Sequence, residues 1–143
     1  MRDRFRLLGA VAVGGAAGAP ARYEATHLIP VRNGGFPGAT FWVNVAGSFV
    51  LGLLLVLLLE RFPPTRYLRP LLATGFLGAF TTFSAFAVET DLLAKDSHVA
   101  LALAYVGASL GAGLAAAWMG VVAARRLIPS TGSCRCRHNG CRP

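Results

Sequence analysis

Charged residues are scarce in this sequence, and long stretches contain none. Among its 143 residues, 14% are Asp, Glu, Lys or Arg, whereas soluble globular domains carry about 25%. These four residue types are absent from three ranges, 33–59, 70–88 and 97–124. Each range comes close to or exceeds the roughly 20 apolar residues that a membrane-spanning helix needs. The composition therefore argues against a soluble domain and predicts an integral membrane protein.

Cysteine is missing from the body of the chain. The three cysteines, Cys134, Cys136 and Cys141, flank His138 near the carboxyl terminus. Thiolate and imidazole are the ligands that zinc prefers, so Cys-x-Cys-x-His-x-x-Cys offers a zinc site. Its spacing is tighter than that of the usual paired knuckles, and an unstructured tail with incidental cysteines is the favoured interpretation. No disulfide is available to the rest of the chain.

The apolar ranges predict an all-α membrane domain, residues 1–126, followed by a basic, disordered tail, residues 127–143. Its four spans are expected at about 5–29, 38–60, 69–92 and 98–124. The mixed-charge stretch from Glu89 to Asp96 is expected to form a loop between the last two spans. A basic start followed by small residues is also typical of a signal peptide, but the run continues through Arg22 without a clear cleavage context.

The spans lack the groups that enzymes use. His27 lies near the end of the first span and His98 opens the fourth. There is no carboxylate pair at mid-membrane and no phosphate-binding loop of the P-loop type. The remaining polar groups are an amide, hydroxyls and a phenol, none of which titrates near pH 7 without strong perturbation. We therefore expect passive conduction rather than catalysis or proton-coupled transport.

The centre of the third span is unsuited to a plain helix. Gly75 and Gly78 weaken it, and Thr81, Thr82 and Ser84 place three hydroxyls at mid-depth. A helix that breaks inside a membrane frees backbone groups, which are tolerated where they line a cavity or bind an ion. The alternative is an unbroken span whose small residues let neighbouring helices approach closely. Composition alone favours this alternative.

Two other spans carry polar residues at four-residue spacing, which places them on one helix face. These residues are Thr40, Asn44 and Ser48 in the second span and Tyr105, Ser109 and Gly113 in the fourth. The Asn44 amide must either bond to another helix or line a wet path. Arg22, near one end of the first span, either reaches the membrane surface or lines an aqueous vestibule. The choice for Asn44 stays open on the residues alone, whereas for Arg22 they favour the membrane surface.

Three motifs together resemble the small bacterial fluoride channels, the Fluc family, also called CrcB. The motifs are GGAAGAPARY at 14–23, ATFWVNVAGSFVLG at 39–52 and TGFLGAFTTFSAF at 74–86. The resemblance extends from about Leu7 to Arg126. It implies a four-helix protomer whose third helix is broken near its centre and which pairs antiparallel with a second copy, in dual topology, in the bacterial plasma membrane. It further implies two pores for passive fluoride export and a central sodium ion that is structural and not transported.

The resemblance also implies roles for individual residues. The fluoride pore falls on Asn44, Thr82, Phe83, Ser84, Phe86, Tyr105 and Ser109, the sodium-binding carbonyls on Gly78 and Thr81, and the vestibule arginine on Arg22. Two positions depart from the family pattern. Ala79 stands where a glycine is usual, and Ala85 where a threonine usually continues the polar track. Because Ala85 removes one donor, we expect it to lower the conduction rate.

The residue types suit a fluoride pore. Fluoride is small and strongly hydrated, so a pore must offer many hydrogen-bond donors, which amide and hydroxyl groups supply. Fixed positive charge would hold the ion too tightly for it to leave. The edges of aromatic rings carry partial positive charge, so Phe83 and Phe86 can present edges to an anion. Ordinary packing is the alternative for both phenylalanines, and the residues alone favour it.

Two other functions remain as alternatives. A small dual-topology multidrug exporter has similar size, but it would need a carboxylate in the middle of span one, where this chain has only Glu24 near the end. A non-transporting membrane assembly protein would use Asn44 and the threonines only for contacts between helices.

Lys and Arg are distributed unevenly between the two membrane sides. Four spans place both termini and the second loop on one side, which carries eleven of the fourteen basic residues. The opposite side carries Arg32 and Lys95, with Arg22 near a helix end. Basic residues favour the cytoplasmic side. The chain is therefore expected to insert mostly with its termini in the cytoplasm and to need an oppositely oriented homologue as a heterodimer partner. A homodimer that recruits a minority of inverted chains is the alternative.

Overall fold

The computed structural model describes residues 2–29, 35–60 and 66–127, and within these ranges the regular structure is entirely helical. The helices are α1 (Arg2–His27), α2 (Gly38–Glu60), a π-helical segment (Pro70–Leu77), α3 (Gly78–Phe80), α4 (Phe83–Lys95) and α5 (Val99–Leu127). The predicted all-α class is confirmed. The predicted disordered tail and its zinc pattern lie outside the described residues, apart from Leu127.

Three helical runs in the described ranges are long and apolar enough to cross a membrane, namely Gly38–Glu60, Pro70–Lys95 and Val99–Leu127. Helix α1 has the length but is not among them. It is rich in glycine and alanine, which bury little apolar surface, and it carries charges such as Arg22 and Glu24. The prediction of four long helical passes is thus confirmed, while only three of them qualify as spans by their own composition.

Helix α1 packs directly against the backbone of the π-helical segment. A Cβ atom on Gly14 would collide with the carbonyl oxygen of Leu71, and one on Gly18 with that of Phe76. On the facing segment, a Cβ on Gly75 would lie 2.6 Å from the carbonyl oxygen of Val11. Small residues that let backbones touch are a common means of helix association in membranes. The glycine-rich motif of span one therefore fixes α1 to the first half of the third pass.

Helices α2 and α5 form the other main helix pair. Their backbones approach at two glycines, since a Cβ on Gly52 would meet the carbonyl oxygen of Ala117 and a Cβ on Gly120 that of Phe49. The two pairs meet where α1 contacts α2 and where α4 contacts α5. Within the first pair, Asp3 of α1 forms an ion pair of 3.3 Å with Arg66, just before the third pass. This contact places the start of α1 and the approach to the third pass on the same side, as the four-span prediction requires.

The prediction of a loop from Glu89 to Asp96 is wrong. Helix α4 continues to Lys95, and only residues 96–98 connect it to α5. The charges fit the helix because Lys95 Nζ lies 2.6 Å from Asp91 Oδ2, one turn earlier, a spacing that supports helices. Glu89 is also paired, through hydroxyl groups of two neighbouring helices. The π-helical winding of residues 70–77 was likewise not predicted.

Candidate functional site

The third pass is interrupted, as predicted, and the interruption lies at Thr81 and Thr82. Both residues have extended backbones, with ψ of 152° at Thr81 and φ of −142° at Thr82. The Thr81 hydroxyl donates to the carbonyl oxygen of Leu77 at 2.9 Å and closes the first half. Thr82 Oγ1 accepts a hydrogen bond from the Ala85 amide at 3.2 Å and caps α4, a role that threonine often has at helix starts. Gly78, expected within the break, is itself helical.

Asn44 of α2 holds the interrupted backbone. Its Nδ2 donates to the Thr82 carbonyl at 3.0 Å, and its Oδ1 accepts from the Thr82 amide at 2.8 Å. The two alternatives for Asn44 are therefore not exclusive. The side chain bonds to another pass, and it also lines the cavity described below.

The carbonyl groups of Gly78 and Thr81 are left without hydrogen bonds among the described residues. In an unbroken helix the Thr82 amide would donate to the Gly78 carbonyl, but here that amide bonds to Asn44. Freed carbonyl oxygens inside a membrane protein are suited to binding a cation such as sodium. The carbonyl oxygens of Gly78 and Thr81 therefore fit the sodium ion that the family resemblance implies.

A cavity of about 300 Å³ lies beside the interruption. It brings together most of the predicted pore and sodium residues: Asn44, Gly78, Thr81, Thr82, Phe83, Phe86 and Ser109. Ser48 and Gly113, predicted on the two polar faces, line it as well. The cavity contains no charged side chain among the described residues.

Two side chains of the cavity, those of Phe83 and Ser109, are unusual for a packed core. The ring centroids of Phe83 and Phe86 lie 5.7 Å apart and are tilted by 44°. Phe83 is 78% exposed in the single chain. The buried Ser109 hydroxyl lies beside the Tyr105 hydroxyl but makes no well-formed hydrogen bond within the part of the chain that the structure describes. A buried polar group without a partner calls for an explanation, such as an unseen water or ion.

A second, wider groove of about 900 Å³ contains two of the predicted residues that the cavity lacks, Arg22 and Ser84. Ala85, the departure from the family pattern, lines this groove. Thr82 lines both the groove and the cavity, and its hydroxyl lies 3.2 Å from that of Ser84. Thr82 is buried and is the one described residue that lines both spaces, so it lies between the groove and the cavity.

Tyr105 lies in neither space. Its side chain is fully buried, with 0% exposure, and its hydroxyl donates to Glu89 Oε2 at 2.7 Å. The ring packs on Phe86, with centroids 5.3 Å apart. The phenol proton expected to face the anion is thus directed to the Glu89 carboxylate, and the Tyr105 ring packs against Phe86.

Glu89 is a residue that sequence reasoning missed. Its Oε1 accepts a hydrogen bond from the Thr40 hydroxyl at 2.6 Å, in addition to the bond from Tyr105. One carboxylate therefore connects α2, α4 and α5. The sequence does carry one indication of this role. Glu89 follows Phe86 by three residues, directly after the uncharged range, and this spacing places Glu89 and Phe86 on one helix face.

The chain resembles proteins of known family along most of its length. Residues 9–121 match the family described as "CrcB-like protein, Camphor Resistance (CrcB)". The protein named Fluoride-specific ion channel FluC 3 of Streptomyces avermitilis is 48% identical over 143 residues, which cover 99% of this chain and 70% of that protein.

Two further relatives carry the name Fluoride-specific ion channel FluC 1. That of Streptomyces coelicolor is 42% identical over 127 residues, covering 89% of this chain and 82% of that protein. That of Mycolicibacterium paratuberculosis is 42% identical over 123 residues, covering 86% of this chain and 93% of that protein. The match of the family, from residue 9 to residue 121, includes every described residue that lines the cavity or the groove. The chain belongs to the CrcB family.

Proposed function

We propose that this protein is a passive, fluoride-selective ion channel of the bacterial plasma membrane that exports fluoride and lowers its cytoplasmic concentration. It is a channel and not an enzyme. The observation that carries the proposal is the uncharged cavity beside Thr82, in which hydroxyl groups, an amide and two tilted phenylalanines face one space. The names of the relatives support fluoride as the ion.

The cavity chemistry favours a small, strongly hydrated anion. The Ser109 hydroxyl is buried beside the Tyr105 hydroxyl, with no well-formed hydrogen bond among the described residues, so it can donate to an ion. Asn44 uses one N–H bond on Thr82 and retains a second. The edges of Phe83 and Phe86 supply partial positive charge. These groups replace part of the hydration shell without the fixed charge that would trap the ion.

We propose Gly78 and Thr81 as ligands of a structural sodium ion through their backbone carbonyls. When bound, the ion supplies a positive charge that satisfies both freed oxygens. Its role is to stabilise the interruption that Asn44 holds from the other side, and it is not transported. The exposure of Gly78 in the single chain leaves room for ligands from a second copy.

A second, oppositely oriented copy is the proposed partner. Phe83 is 78% exposed and lines an uncharged cavity, and the site is incomplete without a surface that covers this ring. An antiparallel dimer places two such cavities back to back and closes each one. The unequal distribution of basic residues favours a homologue of opposite bias over an identical copy.

Accessibility labelling of a cysteine introduced at each terminus tests the choice of partner, with the native tail cysteines replaced. In intact cells that express this chain alone, termini that stay inaccessible from outside support the heterodimer. A near-equal division between accessible and protected termini supports the homodimer.

Fluoride efflux from liposomes tests the channel itself. Purified protein is reconstituted, potassium is clamped with an ionophore, and released fluoride is followed with an ion-selective electrode. Flux that needs only the fluoride gradient supports the proposal. A requirement for a proton gradient supports the exporter, and the absence of flux from correctly assembled protein supports the assembly factor.

A further inference from the structure

Gly47 of α2 makes a contact that distinguishes it from the other tightly packed glycines of the described helices. At those other positions an added Cβ atom would collide with the backbone of a neighbouring segment: Gly14, Gly18, Gly52, Gly75 and Gly120. A Cβ on Gly47 would instead collide with a side chain, at the Cγ2 methyl of Thr81, and would lie 3.4 Å from Cδ1 of the Phe80 ring. The missing side chain of Gly47 therefore leaves a space, the Gly47 notch, that the Thr81 methyl group occupies.

The Thr81 side chain is held on both of its branches. Its hydroxyl donates to the Leu77 carbonyl at 2.9 Å, and its methyl lies in the Gly47 notch. Both groups are bonded to the same Cβ atom, and a β-branched side chain is stiff at χ1. The two contacts therefore fix a single rotamer of Thr81.

This rotamer is tied to the backbone at the interruption. The Thr81 amide donates to the same Leu77 carbonyl at 2.9 Å, and the Thr81 ψ of 152° turns the chain out of the helix. The rotamers open to a residue depend on its φ and ψ angles. A Thr81 side chain locked on two sides thus helps to hold the turn, and with it the direction of the Thr81 carbonyl.

Gly47 and Asn44 act on consecutive residues of the interruption from one face of α2, since they are three residues apart. Asn44 holds Thr82 through hydrogen bonds of 3.0 Å and 2.8 Å, and Gly47 receives the methyl of Thr81. Such bonds span only about 2.7 to 3.2 Å, so they tolerate little further separation. A Cβ at residue 47 would push Thr81 away from α2 and strain both Asn44 bonds.

We propose that Gly47 is a positioning residue for the cation site, because its notch holds the Thr81 methyl and thereby directs the Thr81 carbonyl. The inference rests on the proposed sodium site of Gly78 and Thr81 and, through it, on the proposed channel function. Cation binding by carbonyl oxygens depends on where those oxygens lie. A side chain at residue 47 therefore lowers the affinity for sodium and, with it, the fluoride flux.

Sodium-dependent thermal unfolding of the full-length purified protein tests the proposal. A ligand that binds only the folded protein raises its unfolding temperature as the ligand concentration rises. Sodium is exchanged for N-methylglucamine at constant ionic strength, so that the screening of charges does not change. We expect sodium to stabilise the wild-type protein. Gly47→Ala should need about ten-fold more sodium for the same stabilisation, because the site is overpacked.

A second substitution moves one methyl group from residue 81 to residue 47. Thr81→Ser removes the methyl and keeps the hydroxyl that donates to Leu77. Added to Gly47→Ala, it should recover most of the lost sodium response, because the new Cβ takes the space that the methyl leaves. Thr81→Val, which keeps a methyl and loses the hydroxyl, should not recover it. The same order of variants is expected for fluoride efflux from liposomes at a sodium concentration that saturates the wild type.

Gly52→Ala is the matched control. Gly52 also lies on α2, but its Cβ would collide with the carbonyl oxygen of Ala117, away from the interruption. The control variant should unfold at a lower temperature at every sodium concentration, with an unchanged sodium requirement, and Thr81→Ser should not rescue it. If Gly47→Ala alone yields no folded protein, folding becomes the readout, and the double variant with Thr81→Ser should fold.

A wild-type sodium requirement in Gly47→Ala would overturn the inference, and so would a Thr81→Ser substitution that restores nothing. A wild-type protein that sodium does not stabilise would overturn the sodium site together with the role of Gly47. Sodium binding and rescue without any fluoride flux from the wild type would overturn the channel and leave Gly47 as a positioning residue. Fluoride flux without rescue would leave the channel intact and remove only the role of Gly47.

Discussion

The Asn44 side chain pairs with both backbone groups of Thr82, the residue at which the third membrane pass is interrupted. It donates to the Thr82 carbonyl at 3.0 Å and accepts from the Thr82 amide at 2.8 Å. An amide side chain thus takes the place of the peptide group that an intact helix would supply. Backbone groups freed inside a membrane need such partners, so Asn44 makes the interruption possible and defines one wall of the cavity.

Asn44→Asp should destabilise the protein and abolish fluoride flux. The two side chains are nearly the same size, but a carboxylate cannot donate to the Thr82 carbonyl. The lost bond leaves a buried carbonyl unsatisfied, at a cost of about 1–3 kcal/mol. The measurement is thermal unfolding of the purified protein, followed by efflux from liposomes. Ser48→Ala, which alters the same cavity without touching Thr82, is the control for stability. An Asn44→Asp variant as stable as wild type would contradict the proposed clamp.

The Glu89–Tyr105 pair should show energetic coupling. Tyr105→Phe removes the donor to Glu89 Oε2, and Glu89→Gln replaces one acceptor oxygen with an NH₂ group. Each single variant should lower the free energy of unfolding. The double variant should lower it by less than the sum of the two single effects, with a coupling energy of about 0.5–3 kcal/mol. The measurement is a double-mutant cycle on unfolding free energies. Asp91→Asn combined with Tyr105→Phe is the control cycle and should be additive, because Asp91 pairs with Lys95. Additivity in the Glu89 cycle would show that the hydrogen bond contributes nothing.

Phe83→Ile should abolish flux while leaving assembly intact. The substitution keeps an apolar side chain of comparable size but removes the electropositive ring edge. Phe83 is 78% exposed in the single chain, so its loss creates no cavity in the protomer. Gel filtration reports assembly and the fluoride electrode reports flux. Phe5→Ile is the matched control, since Phe5 is 71% exposed and lines neither space. Normal conduction by assembled Phe83→Ile protein would leave the ring with a packing role only.

Gly18→Ala should destabilise the bundle, whereas Gly9→Ala should not. A Cβ on Gly18 meets the backbone carbonyl of Phe76, which cannot move aside as a flexible side chain would, while a Cβ on Gly9 meets nothing within 4 Å. Overpacking at Gly18 is expected to cost about 1–3 kcal/mol, and alanine at Gly9 to stabilise α1 by up to about 1 kcal/mol. Unfolding free energies of the two variants make the comparison. Equal effects would contradict the close contact between α1 and the third pass.

The fold was largely predictable because absence of charge delimits membrane passes. The spans predicted at 38–60 and 98–124 match α2 and α5 within a few residues. The wrong prediction, a loop from Glu89 to Asp96, concerned a stretch in which charged residues lie within a helix. Glu89 and Asp91 indicate a loop by composition, yet each has a partner that permits a helix. Such partners lie on other turns or other helices, and sequence order does not display them.

The candidate site was predictable in its members and less so in their roles. Asn44, Phe83, Phe86 and Ser109 meet in one cavity, as the motifs implied. Tyr105 does not, because its hydroxyl is bonded to Glu89. The residue type determines which hydrogen bonds a side chain is able to donate. Which partner receives the donation depends on how the helices are arranged around it.

The reversal potential under a fluoride gradient opposed by chloride tests the central claim most directly. Purified wild-type protein is placed in a planar bilayer with mostly fluoride on one side and mostly chloride on the other, at equal ionic strength and equal pH. An uncharged cavity that replaces fluoride hydration predicts a reversal potential close to the equilibrium potential of fluoride, with no measurable chloride current. A reversal potential near zero, or one that follows chloride, would contradict the account.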